Sequence, residues 1–361
     1  MARGRQKRYQ EYRGRRSRGS LVLKIIAVLL ALILVAGVVF VVFLNGRVEY
    51  TDEGVRLILP WNSSEPTPSP MPSGSAPPPV IITDEPSPSP SEEPAEELLA
   101  IGAVSVTTAQ LLDGTALQAV SAAGGNALVV EMKNEYGRLS WRSSSDMAAA
   151  LGANAADDSV ARAVSALAEE TELYLVARVV CFRDQALAGA SVGGPLTTLG
   201  GNIWYDRYGL QWVSPVDGTV TGYLTQLCLE LAEMGFDEIL LDCAGYPDLG
   251  ETHVLATNTL RPEDLTVPVG GFLASMREAL ASSGTALSVL TKDGMLTGTD
   301  LNSGITAGLL ADCTDRVWIA PPNTEGTDYV ALLEQAGMEN ASARLVSLGG
   351  VTTEGSWTTA E

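Results

Sequence analysis

Over residues 96–361 the chain repeatedly exchanges short runs that are apolar on both faces for longer stretches of helical spacing, and this alternation limits the fold more than any other feature. Seven β-type runs stand at 101–107, 127–133, 173–182, 238–243, 286–290, 317–320 and 343–348, and residues 355–359 offer a short eighth. Helical patterns at 109–123, 159–170, 218–234, 268–283 and 329–336 lie between them. A strand buried on both faces needs cover on both, which points to a parallel sheet with crossover helices. Eight such units close into a barrel, whereas five or six leave an open, doubly wound sheet. No GxGxxG or Walker sequence follows the first run, which removes the usual nucleotide-binding form of the open sheet. The expected fold is therefore α/β, a (β/α)8-like barrel of the TIM type whose eighth unit is short or incomplete.

The first 95 residues read as an appendage. Residues 25–44 form an uncharged apolar run of 20 residues. As a helix rising 1.5 Å per residue it would span roughly 30 Å, the thickness of a bilayer core. Residues 1–20 hold eight Lys and Arg against Glu11 alone, which predicts a cytoplasmic N-terminus and an extracytoplasmic remainder. Such a tail suits anionic lipid headgroups. Alternation around Asp52-Glu53-Gly54 predicts a hairpin. Eleven of the 34 residues 62–95 are Pro, a composition that forms an extended spacer rather than a core. The expected organisation is a basic tail (1–20), a transmembrane helix (21–44), a juxtamembrane hairpin (45–61), a Pro/Ser-rich linker (62–95) and the barrel (96–361).

Composition removes several functions. The net charge is −20 although the first 20 residues are strongly basic, so the barrel repels polyanions and nucleic acid is not an expected partner. One His, His253, rules out a multi-His metal centre, and Cys181, Cys228, Cys243 and Cys313 lack finger spacing. No metal or cofactor is expected.

Charges inside apolar strands are costly to bury and so are informative. Strand parity puts Val129, Glu131 and Lys133 on one face of the second run, and Arg178 with Val176 and Val180 on one face of the third. Asp242 ends the fourth, where an apolar run gives way to an irregular loop. In a barrel these ends meet at the C-terminal rim, where barrel enzymes assemble their sites. A structural ion-pair network is the competing reading for Glu131, Lys133 and Arg178. The loop aromatics Trp204, Tyr205, Tyr208 and Trp212 are candidates for stacking on sugar rings, or for a second core capping the barrel.

The segments NALVVEMKNEYGRLSW (126–141), LYLVARVVCFRDQALA (173–188), WYDRYGLQWVSP (204–215) and GFDEILLDCAGYP (235–247), in this order and spacing, resemble the putative glycosyl hydrolase barrel family, a bacterial extracytoplasmic group. The resemblance implies an acid-x-Lys at Glu131 and Lys133, Arg178 and Asp184 on the third strand and its exit, and Trp204, Asp206, Gly209, Trp212 and Pro215 in the long loop. It implies that Asp242 is the nucleophile. Glu131 is the first candidate for acid/base and Asp293 the second, with Lys133, Arg178, Trp204, Asp206 and Trp212 binding substrate. The implied activity is glycoside hydrolysis of a polysaccharide or cell-wall glycan by a membrane-anchored protein. The chain departs from the family pattern in three places. Gly245-Tyr246-Pro247 replaces the usual Arg-Phe-Pro, the carboxylate within the fifth strand is replaced in 288–294 unless Asp293 stands in from just beyond the strand, and 319–329 lacks Met-Tyr-Pro. These losses motivate an alternative, a catalytically inactive barrel that binds glycan or an envelope protein.

Overall fold

The structure, a computed structural model, describes residues 99–190, 194–248, 250–320, 326–348 and 356–359, together with the strands at 48–51 and 54–57. The chain divides into two units, residues 1–89 and 90–361. In the first, Val48–Thr51 pairs antiparallel with Gly54–Leu57. The expected transmembrane run, basic tail and Pro-rich linker lie outside the described residues. Among the described residues no helix is long and apolar enough to cross a membrane.

In the second unit eight parallel strands close into a barrel. They are β1 (Gly102–Val106), β2 (Ala127–Lys133), β3 (Tyr174–Val180), β4 (Glu238–Asp242), β5 (Ala286–Thr291), β6 (Arg316–Ile319), β7 (Leu345–Leu348) and β8 (Ser356–Thr358). Parity sorts their side chains into two cores. Ala103, Val129, Val176, Leu240, Trp318 and Val346 pack inside the cylinder. Their neighbours Val104, Val130, Ala177, Leu241 and Val317 pack outward under the helices. Each fully buried Val or Leu contributes about 1.5–3 kcal/mol, so both faces of each strand work for the fold.

The short eighth strand completes the barrel. The Trp357 amide donates to the Ile101 carbonyl (2.9 Å) and the Thr359 amide to that of Ala103 (3.0 Å). The Trp357 indole covers Gly102, where a Cβ would come within 2.7 Å of the ring. Glycine at the head of β1 is what lets the seam close.

Sequence and structure differ most in the helices. The helix expected at 109–123 is two, Thr108–Asp113 and Ala116–Ala123, separated at Gly114, whose φ of 80° is left-handed. The helix expected to begin at Pro268 starts instead at Pro262, in the first turn where proline costs no hydrogen bond, and carries Pro268 inside it. Helix Gly218–Met234 has the expected bounds, capped by Asp217, whose carboxylate accepts from the Thr219 and Val220 amides, and ended by left-handed Gly235.

Candidate active site

Three consecutive strands bring three charged side chains to the C-terminal end of the barrel. In register, Glu131 of β2 lies opposite Arg178 of β3, and Asp242 closes β4 one step higher, opposite Val180. The Arg178 guanidinium spans both acids. Its Nη1 donates to Glu131 Oε2 (2.8 Å) and its Nη2 to Asp242 Oδ2 (2.6 Å). One planar guanidinium therefore lies between the two carboxylates, and these two oxygens are no more than about 8 Å apart. Burial raises the Glu131 carboxyl above the ordinary range, against the pull of Arg178 and with help from Glu135 and Asp242. Burial also works against the charge on Arg178, but Asp242 and then Glu131 outweigh it and its pKa is raised.

Beside this cluster opens a cavity of about 390 Å³. Its floor is apolar, formed by Val129, Leu240, Leu290 and Trp318. Glu131 and Arg178 stand on one wall, and Ser105, Thr107, Thr358 and Thr359 bring hydroxyls from β1, β8 and the residues that follow them. Asp242 lines a smaller adjoining space of about 50 Å³ with Asp248 and Lys292, which are paired with each other. Arg178 is thus the link between the main cavity and Asp242. The arrangement offers a proton carrier of raised pKa, a second carboxylate held by a cation, and hydroxyls from β1, β8 and the residues that follow them.

The structure brings Glu131, Arg178 and Asp242 together, places Trp212 against the small space beside Asp242, and sets Lys133, Asp293, Trp204 and Asp206 elsewhere. Lys133 leaves the face of Glu131 because the β2–β3 register shifts between residues 131 and 133. A bulge re-aims the residues that follow it. The Lys133 ammonium is fully buried, donating to the Val180 carbonyl (2.6 Å) and paired with Asp184 (2.7 Å). It holds the exit of β3, and substrate contact is not its role. Asp293 begins the short helix Asp293–Thr297, accepts from the Tyr329 hydroxyl (2.6 Å) and does not line the cavity. It lines neither this cavity nor the small space beside Asp242, and so stands apart from the Glu131–Arg178–Asp242 cluster.

The loop residues are corrected in the same way. Trp204 and Trp212 are 2% and 1% exposed and belong to the outer core, so neither offers an open ring face for stacking, although Trp212 borders the small space beside Asp242. Asp206 is the knot of that loop. It accepts from the Tyr208 and Leu210 amides, from Arg183 Nε (2.7 Å) and from Trp212 Nε1 (3.2 Å). Burial disfavours its charge, but these donors, the Leu210 amide foremost, hold its carboxyl below the ordinary range. Tyr205 and Tyr208 are the exposed loop aromatics, and Tyr208 lies under the guanidinium groups of Arg183 and Arg207. All four cysteines are free thiols.

Sequence reasoning missed Trp318 and the hydroxyl wall. An inward-facing Trp within Arg316–Ile319 was a readable sign of a cavity floor. The Thr pairs 107–108 and 358–359 meet only because β1 and β8 are neighbours in the closed barrel.

Residues 100–297 match the family described as "Putative glycosyl hydrolase domain". The chain belongs to this family. The match contains Glu131, Arg178 and Asp242 and stops before the last three strands. No curated protein matches the chain. Among solved structures, a hypothetical protein from Ruminiclostridium thermocellum ATCC 27405 is 25% identical over 52% of this chain and 96% of its own, with a TM-score of 0.45. The glycoside hydrolase domain of PgaB (BpsB) from Bordetella bronchiseptica is 12% identical over 69% of this chain and 84% of its own, with a TM-score of 0.49. A class V chitinase from Pseudomonas fluorescens Pf-5 is 14% identical over 69% and 68%, with a TM-score of 0.42. The glycosyl hydrolase family assignment thus rests on sequence and agrees with the closed barrel.

Proposed function

We propose that this protein is a membrane-anchored, extracytoplasmic glycoside hydrolase acting on a polysaccharide or cell-wall glycan. The observation that carries the catalytic part is the Glu131–Arg178–Asp242 cluster beside a cavity at the C-terminal mouth of a family barrel. Glu131, kept protonated to higher pH by burial, gives its proton to the glycosidic oxygen as the bond to the anomeric carbon breaks. Asp242, its charge held by Arg178, meets the positive charge developing at that carbon, and water completes hydrolysis. The oxygen separation of at most about 8 Å is compatible with either stereochemical outcome, since retaining pairs stand about 5–5.5 Å apart and inverting pairs about 6.5–9.5 Å.

The test is release of reducing ends from cell-wall and plant polysaccharides by the detergent-solubilised full chain. Asp242→Asn and Glu131→Gln are each expected to lose at least about 100-fold, the scale of acid–base catalysis. Equal release by wild type and both variants would remove the cluster from the mechanism.

One observation favours the second reading, a barrel that binds glycan without cleaving it: Glu131 is the single carboxylate among the residues lining the main cavity. Calorimetric binding with no reducing-end release after prolonged incubation selects this reading.

The membrane part rests on the apolar run at 25–44, the basic residues before it and the Pro-rich stretch after it. It predicts that the chain stays with membranes through alkaline carbonate extraction, and that protease added to intact spheroplasts removes the barrel. Extraction by carbonate would refute anchoring.

A further inference from the structure

Among the described residues, the main cavity is ringed at the depth of the strand ends by the closed barrel. Each of the eight strands, or the residue that follows it, contributes to its lining, from Ser105 of β1 round to Leu290 of β5 and Thr358 of β8. Below, it ends on the packed interior core, where Val129, Leu240 and Trp318 are at most 4% exposed. Trp318 is fixed there by its indole Nε1, which donates to the buried carboxylate of Glu238 (2.7 Å). A space ringed by strands and closed beneath is, at that depth, a pit. An extended polymer can lie along a cleft and leave at both ends, but it enters a pit only by its terminus. The volume of about 390 Å³ is at the small end of the roughly 300–1,000 Å³ usual for small-molecule sites.

Resting on the glycan reading above, we propose that the protein recognises the end of a neutral glycan chain and takes its terminal ring into this pit. The apolar floor suits the carbon-bound hydrogens of a sugar face, and the hydroxyls of Ser105, Thr107 and Thr358 line the same cavity as Glu131 and Arg178 and can meet the ring hydroxyls. Two carboxylates share one guanidinium, so no positive charge is left over to recruit an acidic sugar.

The experiment is saturation-transfer NMR of the full chain in detergent micelles with hexamers of chito-, cello- and xylo-oligosaccharides. Protons of one terminal unit are expected to receive at least twofold more saturation than those of internal units. Uniform or internally centred saturation overturns end recognition and leaves the glycan reading standing. No saturation from any hexamer overturns both. Leu290→Trp, which fills the pit, is expected to weaken binding at least 10-fold with an unchanged circular-dichroism spectrum. Ser105→Phe fills it from β1, four strands away, and repeats the test should the first variant misfold. Wild-type affinity in a folded pit-filling variant overturns the proposal.

Discussion

Two arginines enter the barrel interior, one near each end, and each meets acidic side chains, yet their surroundings differ sharply. Near the N-terminal end Arg316 and Glu238 are 1% and 0% exposed at their side chains. Arg316 Nη1 donates to Glu238 Oε2 (2.8 Å) and to the Tyr174 hydroxyl (2.7 Å), and its Nη2 to the Leu99 carbonyl (2.7 Å). Tyr174 and Trp318 donate in turn to Glu238. Burial, with the charge of Glu238, pushes the Tyr174 phenol far above its ordinary range, so it stays a donor. At the C-terminal end Arg178 and Glu131 are 36% and 40% exposed and face a cavity. The same ion types form a sealed plug in one place and an accessible site in the other. The difference teaches that enclosure, more than the presence of charge in a strand, separates structural from chemical networks here.

The largest effect tests this contrast directly. Arg316→Met leaves Glu238 as an uncompensated buried charge and is expected to cost about 3–5 kcal/mol of folding stability. Arg178→Met leaves Glu131 40% exposed and Asp242 15% exposed, so water reaches the first freely and the second in part, and a smaller loss of about 1–3 kcal/mol is expected. Guanidinium unfolding followed by circular dichroism measures both. Equal losses would break the comparison.

A smaller effect concerns protons. Because the Glu131 carboxyl is raised above the free-glutamate value in the fold, the native state holds its proton to higher pH than the unfolded chain does. The unfolded state therefore binds fewer protons between the two titration points, and this residue's contribution to stability falls as pH rises from about 4.5 through the folded pKa. Glu131→Gln removes that fall, so its stability relative to wild type should improve over the same window. A carbon-13 titration of the Glu131 carboxyl should give a midpoint above the ordinary one, and Arg178→Met should move it higher by removing the cation that lowers it. A midpoint at or below the free value would take away its role as proton carrier.

The same contrast explains how far the sequence could be read. Seven strands were legible because β-branched and apolar runs such as ALVVEMK and YLVARVV allow little else when both faces are buried. The eighth, Ser356–Thr358, has too few residues to show a period, and it is defined by the seam with Gly102. Short helices such as Asp146–Ala150, Gln185–Gly189 and Ala307–Cys313 span at most two turns and leave no stripe to detect. Glu131 and Arg178 were found by parity, and Asp242 by its place where an apolar run meets an irregular loop. Parity failed at Lys133, because a register shift is invisible in residue types. It had no purchase on Trp204, Asp206 and Trp212, whose loop folds inward around the Asp206 carboxylate.

The smallest expected effect extends the comparison to a third pair. Arg261 Nη2 lies 2.9 Å from Asp264 Oδ1 at the start of the helix Pro262–Leu280, with side chains 71% and 42% exposed. The pair holds the Arg261 pKa up and the Asp264 carboxyl down, foremost through their mutual hydrogen bond. Water and salt screen the attraction, and holding two long side chains in one geometry offsets much of what remains. Arg261→Ala also leaves Asp264 in the first helical turn, where a negative charge still favours the backbone amides. No measurable shift in the unfolding midpoint is therefore expected at physiological salt. If this variant lost as much as Arg178→Met, exposure would not be the variable that orders the three networks, and the division between plug and site would need another basis.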